Sequence, residues 1–391
     1  MDAFQIVDVN ESRWKHATER TMHLPPEIIS NILSKLPIDS ILRCKCVCKT
    51  WHSITQESSF VSMHLSISNK GNPLVILQAR EREDGFARRL CLLDMESRKV
   101  RYIPQIPFED AELRDLRIMC SLNGMLCMAP KRAIHPVVIY NPITRKYIVL
   151  PESEINRRVI SHQAGFGFDP LSKSYKVVRI YDYNNGGLHE VTKSEIITVG
   201  DNSWREIRSP YKVLGMGSKG PVFCNGTIYW IINKGHYPYG RAYILTFDMS
   251  KEVFGFICFH PSIRAPNYKP YFASCNLQLH IFAGSLFLVE YDGNSLHLWK
   301  MTEREAGGFS AEFASIRMDL PLGARCVRSL VYPLTPELFF LEMDGFVSGA
   351  WDKNNLVCFL RRYNAYAKFL IPGFPKSFRA RPFHPSFLFL E

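Results

Sequence analysis

Cys44, Cys46 and Cys48, with His52 four residues further on, are the group in this chain that most invites a metal ion. Zinc takes thiolate sulfur and imidazole nitrogen in a tetrahedron, and its structural sites space their cysteine pairs by two to four residues. A C-x-C-x-C run lacks that spacing, and on a helix Cys46 points away from its two neighbours, so no metal is expected. Gly215-Met216-Gly217-Ser218-Lys219-Gly220 fits G-x-G-x-x-G. That pattern holds a pyrophosphate only between a strand and a helix N-terminus. Here Pro221, a short apolar run and the Asn225-Gly226 turn follow, so no helix awaits a phosphate and no cofactor is expected. The 12 histidines include no H-E-x-x-H, and there is neither a G-x-S-x-G elbow nor a pair of carboxylates isolated in a Gly-rich loop. With no catalytic residue, cofactor or metal ligand to name, function has to be sought in surfaces.

The elements that carry such surfaces can be bounded from composition. A chain of 391 residues suggests two or three domains. Hydrophobic residues at 46% and charged residues at 22% are ordinary for folded, soluble proteins. The 48 Lys and Arg exceed the 37 Asp and Glu by 11, which favours acidic partners. Nucleic-acid readers concentrate such charge on one stripe or helix; here it is scattered in pairs such as Arg88-Arg89, Arg157-Arg158 and Arg361-Arg362, which argues against nucleic acid. Eleven cysteines, an odd number placed mostly in apolar runs, suit reduced thiols. Met1 to Arg20 contains no apolar run and reads as a flexible N-terminus, not a secretory signal. No stretch of 18 apolar residues follows, so no membrane span and no membrane partner are expected, and the location expected is cytoplasmic, nuclear or both.

Between Leu24 and Met63 apolar residues recur at helical spacing. Ile28, Ile29, Ile32, Leu33 and Leu36 fall on one face. Pro25 and Pro26 stand where a helix tolerates them, and Pro37 ends it. Asp39 or Ser40 is the expected N-cap of a second helix, with Ile41, Leu42, Cys44, Cys46, Val47, Cys48, Trp51 and Ile54 as apolar positions in it or just beyond. A segment of about 40 residues rarely buries so much apolar surface by itself. It either packs on the rest of the chain or keeps a face for a partner.

After Leu74 the period drops to two. Val137–Tyr140, Tyr175–Tyr181, Thr227–Ile231 and Leu286–Tyr291 are short runs rich in Val, Ile, Tyr and Phe, bounded by Gly, Pro, Asn and Asp. Turn glycines 124, 226, 284 and 345 each open an apolar hairpin, at intervals of 102, 58 and 61 residues, the first long enough for two units. Helix-free strands at this spacing read as a β-propeller of about six blades. A pair of β-sandwiches is the rival. The expected fold is thus α+β and multidomain: a flexible 1–20, an all-α domain over 21–65, a large all-β domain over 70–375 and a C-terminal tail over 376–391.

Leu24-Pro25-Pro26-Glu27-Ile28-Ile29, then Ile32-Leu33-Ser34-Lys35-Leu36-Pro37, then Val47-Cys48-Lys49-Thr50-Trp51 resembles the F-box. The resemblance implies docking to the Skp-type adaptor of a cullin-RING ubiquitin ligase. Carried over position by position, Leu24, Pro25, Ile28, Ile32, Leu33, Leu36, Pro37, Leu42, Cys46, Val47 and Trp51 would form or support that adaptor surface. Ser121-Leu122-Asn123-Gly124-Met125-Leu126-Cys127, Tyr140-Asn141-Pro142-Ile143-Thr144-Arg145, Gly165-Phe166-Gly167-Phe168-Asp169-Pro170, Trp204-Arg205 and Asn225-Gly226 before Tyr229-Trp230 resemble the F-box-associated domain of plant F-box proteins. These pieces are expected to be scaffold, the Asn-Gly and Asp-Pro pairs setting turns. The implied role is the substrate-recognition subunit of a Skp-cullin-F-box ligase, itself no enzyme, with an unidentified substrate protein bound at loops such as 183–187, 237–241 and 264–269. A propeller enzyme or a binder of glycans or small molecules is the alternative, and a nucleic-acid binder a third.

Overall fold

Proline decides where the first two helices begin. In the computed structural model, Pro25 (φ −53°) precedes α1 (Pro26–Ser34) and Pro37 (φ −56°) precedes α2 (Ile38–Cys44), neither offering a side-chain cap. The expected cap at Asp39 or Ser40 is therefore displaced. A ring already fixed near helical φ starts the helix without one. The structure describes residues 24–79, 89–95, 97, 99–103, 116–130, 135–153, 159–184, 190–209, 220–234, 241–258, 277–282, 284–291, 295–303, 309–319, 324–335, 338–347, 350–360, 363, 365–369 and 378–390. The N-terminal segment 1–20 and most of the three proposed binding loops lie outside them, as do positions 215–219 of the glycine motif.

The chain divides into two units, Met1–Ile67 and Ser68–Glu391. In the described residues of the first, α3 (Lys49–Ile54) and α4 (Ser58–Lys70) follow these two helices. Leu33, Ile38, Ile41, Ile54, Phe60 and Val61 are buried. The last helix runs to Lys70, past the expected boundary at 65, and its final residues belong to the second unit.

The described residues of the second unit form six four-stranded antiparallel sheets, the six blades of a β-propeller and not a pair of sandwiches. Blades two to six each use four consecutive strands: β4 (Arg117–Leu122) to β7 (Lys146–Val149), β8 (Val159–Asp169) to β11 (Arg205–Ile207), β12 (Val222–Cys224) to β15 (Val253–Cys258), β16 (Leu277–Phe282) to β19 (Phe309–Asp319), and β20 (Ala324–Thr335) to β23 (Ala365–Phe369). Blade one is composite. Its β1 (Leu74–Ala79), β2 (Leu90–Leu93) and β3 (Val100–Ile103) follow the helices, and its remaining strand, β24 (Phe378–Phe383), comes from the far end of the chain. Residues expected to be a tail thus close the ring, with Leu74 opposite Phe383 and Ala79 opposite Phe378.

Apolar clusters lie between neighbouring blades. Cys127, Ile139, Phe166 and Val177 join blades two and three; Val178, Ile180, Trp230 and Phe247 join three and four; Leu77, Leu93, Leu356 and Ala380 join six and one. Alternation within β9 (Ser174–Asn184) feeds both sides, Val177 towards one cluster and Val178 towards the other. Asn123-Gly124 and Asn225-Gly226 have positive φ at both positions (51° and 77°, 47° and 77°), as a two-residue hairpin turn requires. Asp344-Gly345 departs from expectation. It lies inside β21 (Leu338–Val347), where the register slips between Met343 and Gly345. An Asp-Gly pair serves a bulge as readily as a turn, so the 61-residue interval was not a blade repeat although the number of blades agrees.

Candidate docking surface

Helix α1 divides its apolar residues between two sides. Leu24, Ile28 and Ile32 are spaced by four, one helical stripe, and are 52%, 45% and 50% exposed. Leu33, a hundred degrees round from Ile32, is 1% exposed. Of the two expected roles, forming or supporting the adaptor surface, its burial leaves only support from inside the helical unit. Ser34, beside it, turns its hydroxyl back to the Asn31 carbonyl at 2.9 Å, which satisfies a buried polar group locally.

Val47, at 65%, is more exposed than Leu24, Ile28 or Ile32. It sits in the turn after α2, held by its own N–H to the Cys44 carbonyl at 3.1 Å. Cys48 then caps α3, its sulfur accepting the Trp51 N–H at 3.5 Å, while the Cys46 thiol points back to the Leu42 carbonyl at 3.8 Å. The Cys46 and Cys48 sulfurs are thus engaged in separate local bonds. Pro25, Pro37 and Cys46 are exposed, and Leu36, Leu42 and Trp51 half-buried. Fully covering one large aliphatic side chain is worth about 1.5–3 kcal/mol. Leu24, Ile28, Ile32 and Val47, each about half uncovered, therefore hold several kcal/mol for whatever covers them.

Strand order assigns the connections of the second unit to one end of the blades or the other. Antiparallel order places the tight turns 123–124, 170–173, 225–226 and 249–252 at one end of the blades. The connections β9 to β10 (Glu190–Thr198), β13 (Thr227–Lys234) to β14 (Arg241–Asp248), and β15 to β16 join strand ends at the opposite end. Of the three loops read as binding loops from sequence, only Tyr183, Asn184 and Arg241 are described, at strand ends on this side, and the rest lie outside the described residues.

Beneath that end, between blades two and three, is a buried ionic cluster that the sequence did not reveal. Arg179, 0% exposed, donates to Glu195 at 2.6 Å and stacks over Trp204 at 4.2 Å. Ser153 Oγ and Tyr181 Oη donate to the other Glu195 oxygen at 3.0 and 3.3 Å. Burial raises the Tyr181 pKa, and the Glu195 carboxylate adds to it. The Ser153 N–H reaches His135 Nε2 at 3.0 Å, and His162 Nε2 donates to the Pro130 carbonyl at 2.6 Å. Burial pushes His162 down to about 4, with the Arg179 charge and His135 lowering it further against the Pro130 hydrogen bond. Burial also lowers His135, and Arg179 reinforces the shift. With the carboxylate already saturated by donors, the arrangement is suited to bracing two blades and not to proton transfer. The available signal was Arg179 inside the apolar alternation Val177-Val178-Arg179-Ile180-Tyr181, since an unpaired charge is not tolerated there.

Comparison with known proteins agrees with this architecture. The family model described as F-box associated beta propeller domain matches residues 94–319, and the F-box-like model matches residues 21–65. F-box protein At5g49610 of Arabidopsis thaliana is 27% identical over 326 residues, 80% of this chain and 82% of that protein. F-box protein At5g10340 of the same plant is 28% identical over 353 residues, 82% of this chain and 74% of that protein. F-box protein At3g07870 is 26% identical over 253 residues, and the match spans only 59% of its length.

Proposed function

The chain belongs to the family of F-box associated beta propeller proteins, and from that premise we propose that it is the substrate-recognition subunit of a Skp-cullin-F-box ubiquitin ligase. The helical unit docks the Skp-type adaptor and the propeller captures a target protein for ubiquitination. The carrying observation is the stripe Leu24, Ile28 and Ile32 together with Val47, large apolar side chains left uncovered in a unit that buries Leu33, Ile41 and Phe60. The target binds at the end of the propeller opposite the Asn123-Gly124 and Asn225-Gly226 turns. The chain performs no chemistry of its own, ubiquitin transfer belonging to the recruited machinery, and it works in the cytoplasm, the nucleus or both.

The test is capture of the full-length chain by a purified Skp-type adaptor. Wild type is retained, and Ile32→Asp with Val47→Asp weakens capture by roughly a hundredfold or more, since each charge would be buried unpaired in the interface. Both positions are exposed, so the melting midpoint stays unchanged. Failure of the wild type to bind, or equal capture of the double variant, rejects the proposal.

A further inference from the structure

Residues 384–390, after β24, contain neither helix nor strand, yet His384, Pro385, Ser386 and Leu388 bond to groups of other elements. Ser386, fully buried, donates its hydroxyl to the Asn123 carbonyl at 2.5 Å and accepts the Leu388 N–H at 3.2 Å. Asn141, also fully buried, donates to the carbonyls of Ser386 at 3.0 Å and Leu388 at 2.6 Å. Its oxygen meanwhile accepts from the N–H groups of Ile143 at 2.8 Å and Thr144 at 3.2 Å. A Cβ on Gly124 would collide with Ser386. Leu388 and Leu390 pack on the apolar cluster of blades two and three, and Lys146 lies 4.8 Å over the Phe389 ring. On the other side, Ser68 donates to the Pro385 carbonyl at 2.7 Å and accepts from His384 Nδ1 at 2.9 Å.

We infer that the tight-turn end of blade two is a built peptide-recognition groove whose occupant is the chain's own C-terminal segment. That segment is a clasp across the seam between blades one and two. Asn141 reads two backbone carbonyls, Gly124 admits only a close approach, and Asn123 selects a hydroxyl at position 386, which is the chemistry of peptide capture and not of a turn alone. The seam is where the ring needs it. Blade one contains strands from both ends of the propeller sequence, and among the described residues blade two also meets it through Gln78, which bonds the Leu116 carbonyl and the Ile118 N–H at 3.0 Å each, and through Ser121 to the Pro382 carbonyl at 3.3 Å.

The experiment shortens the chain to end at Phe383 and supplies the peptide His-Pro-Ser-Phe-Leu-Phe-Leu separately. The shortened protein melts several degrees lower, the peptide binds saturably and restores the midpoint, and a peptide with valine in place of the serine binds at least tenfold more weakly. Should the shortened chain fail to fold, hydrogen exchange on full-length Asn141→Ala decides: the Leu388 amide exchanges at least tenfold faster than in wild type. An unchanged midpoint with no peptide binding, or unchanged Leu388 exchange in Asn141→Ala, overturns the clasp. Adaptor capture by Asn141→Ala equals wild type, so this result and the ligase proposal stand or fall separately.

Discussion

The helical unit and the propeller treat their unusual residues in opposite ways. The helices leave large aliphatic side chains in water, Val47 and Ile32 above all, with no polar partner required. The propeller takes charged and polar groups out of water and partners them internally: Arg179 with the Glu195 carboxylate and the Trp204 ring, Glu195 also with Ser153 and Tyr181, and Asn141 with four backbone groups. An exposed apolar face costs little until a partner covers it and then contributes binding. A buried ion pair costs desolvation at once and is tolerable only when its geometry is complete. The contrast therefore separates residues kept for association from residues kept for the blades' own cohesion, and substitutions can test that division.

The largest effect is expected inside the propeller. Arg179→Leu leaves the Glu195 carboxylate buried without its partner and destabilises the second unit by about 3–5 kcal/mol, measured by denaturant unfolding, with adaptor capture intact. A loss below about 1 kcal/mol would mean that Glu195 is not confined as the structure has it.

Acid sharpens the same point. Folded His162 takes a proton only near pH 4, whereas the unfolded chain takes one near its ordinary 6.5. Between those values the unfolded state holds more protons. His162 therefore contributes no penalty above about pH 6.5, and as pH falls to about 4 it removes roughly 3 kcal/mol, with nothing further below. In His162→Gln that part of the slope disappears, and an unchanged unfolding curve across this window would refute the burial cause.

The smallest and most local pair compares neighbours on α1. Leu33→Ala opens a cavity and destabilises the helical unit by about 2–4 kcal/mol, whereas Ile32→Ala shifts its stability by no more than about 0.5 kcal/mol. In adaptor capture, Ile32→Ala weakens binding directly. Equal losses of stability at both positions would erase the distinction between inner and outer faces.

Much of this was legible in the chain itself. Helical spacing placed Ile28, Ile29, Ile32, Leu33 and Leu36 on one face, prolines 25, 26 and 37 bounded the first helix, and alternation with Asn-Gly pairs announced short strands at blade-like intervals. These are local rules, satisfied within a few residues of backbone. Nothing in spacing says which of those residues face inward, and packing buries Leu33 while leaving Ile28 and Ile32 in water. Phe378-Arg379-Ala380-Arg381-Pro382-Phe383 looked like tail because half its residues are polar or proline. It is a strand because β1, some 300 residues earlier, supplies its hydrogen bonds. Asn141 announced a turn through its neighbours Pro142 and Ile143, but its second task depends on Ser386 and Leu388, about 245 residues away. Sequence by itself determined the elements and their apolar stripes, because helix and strand periods are set by bonds between near neighbours. Only the tertiary fold decided which stripes stay in water, which charges find partners and what residues 384–390 pack against, because those depend on groups that meet solely through it.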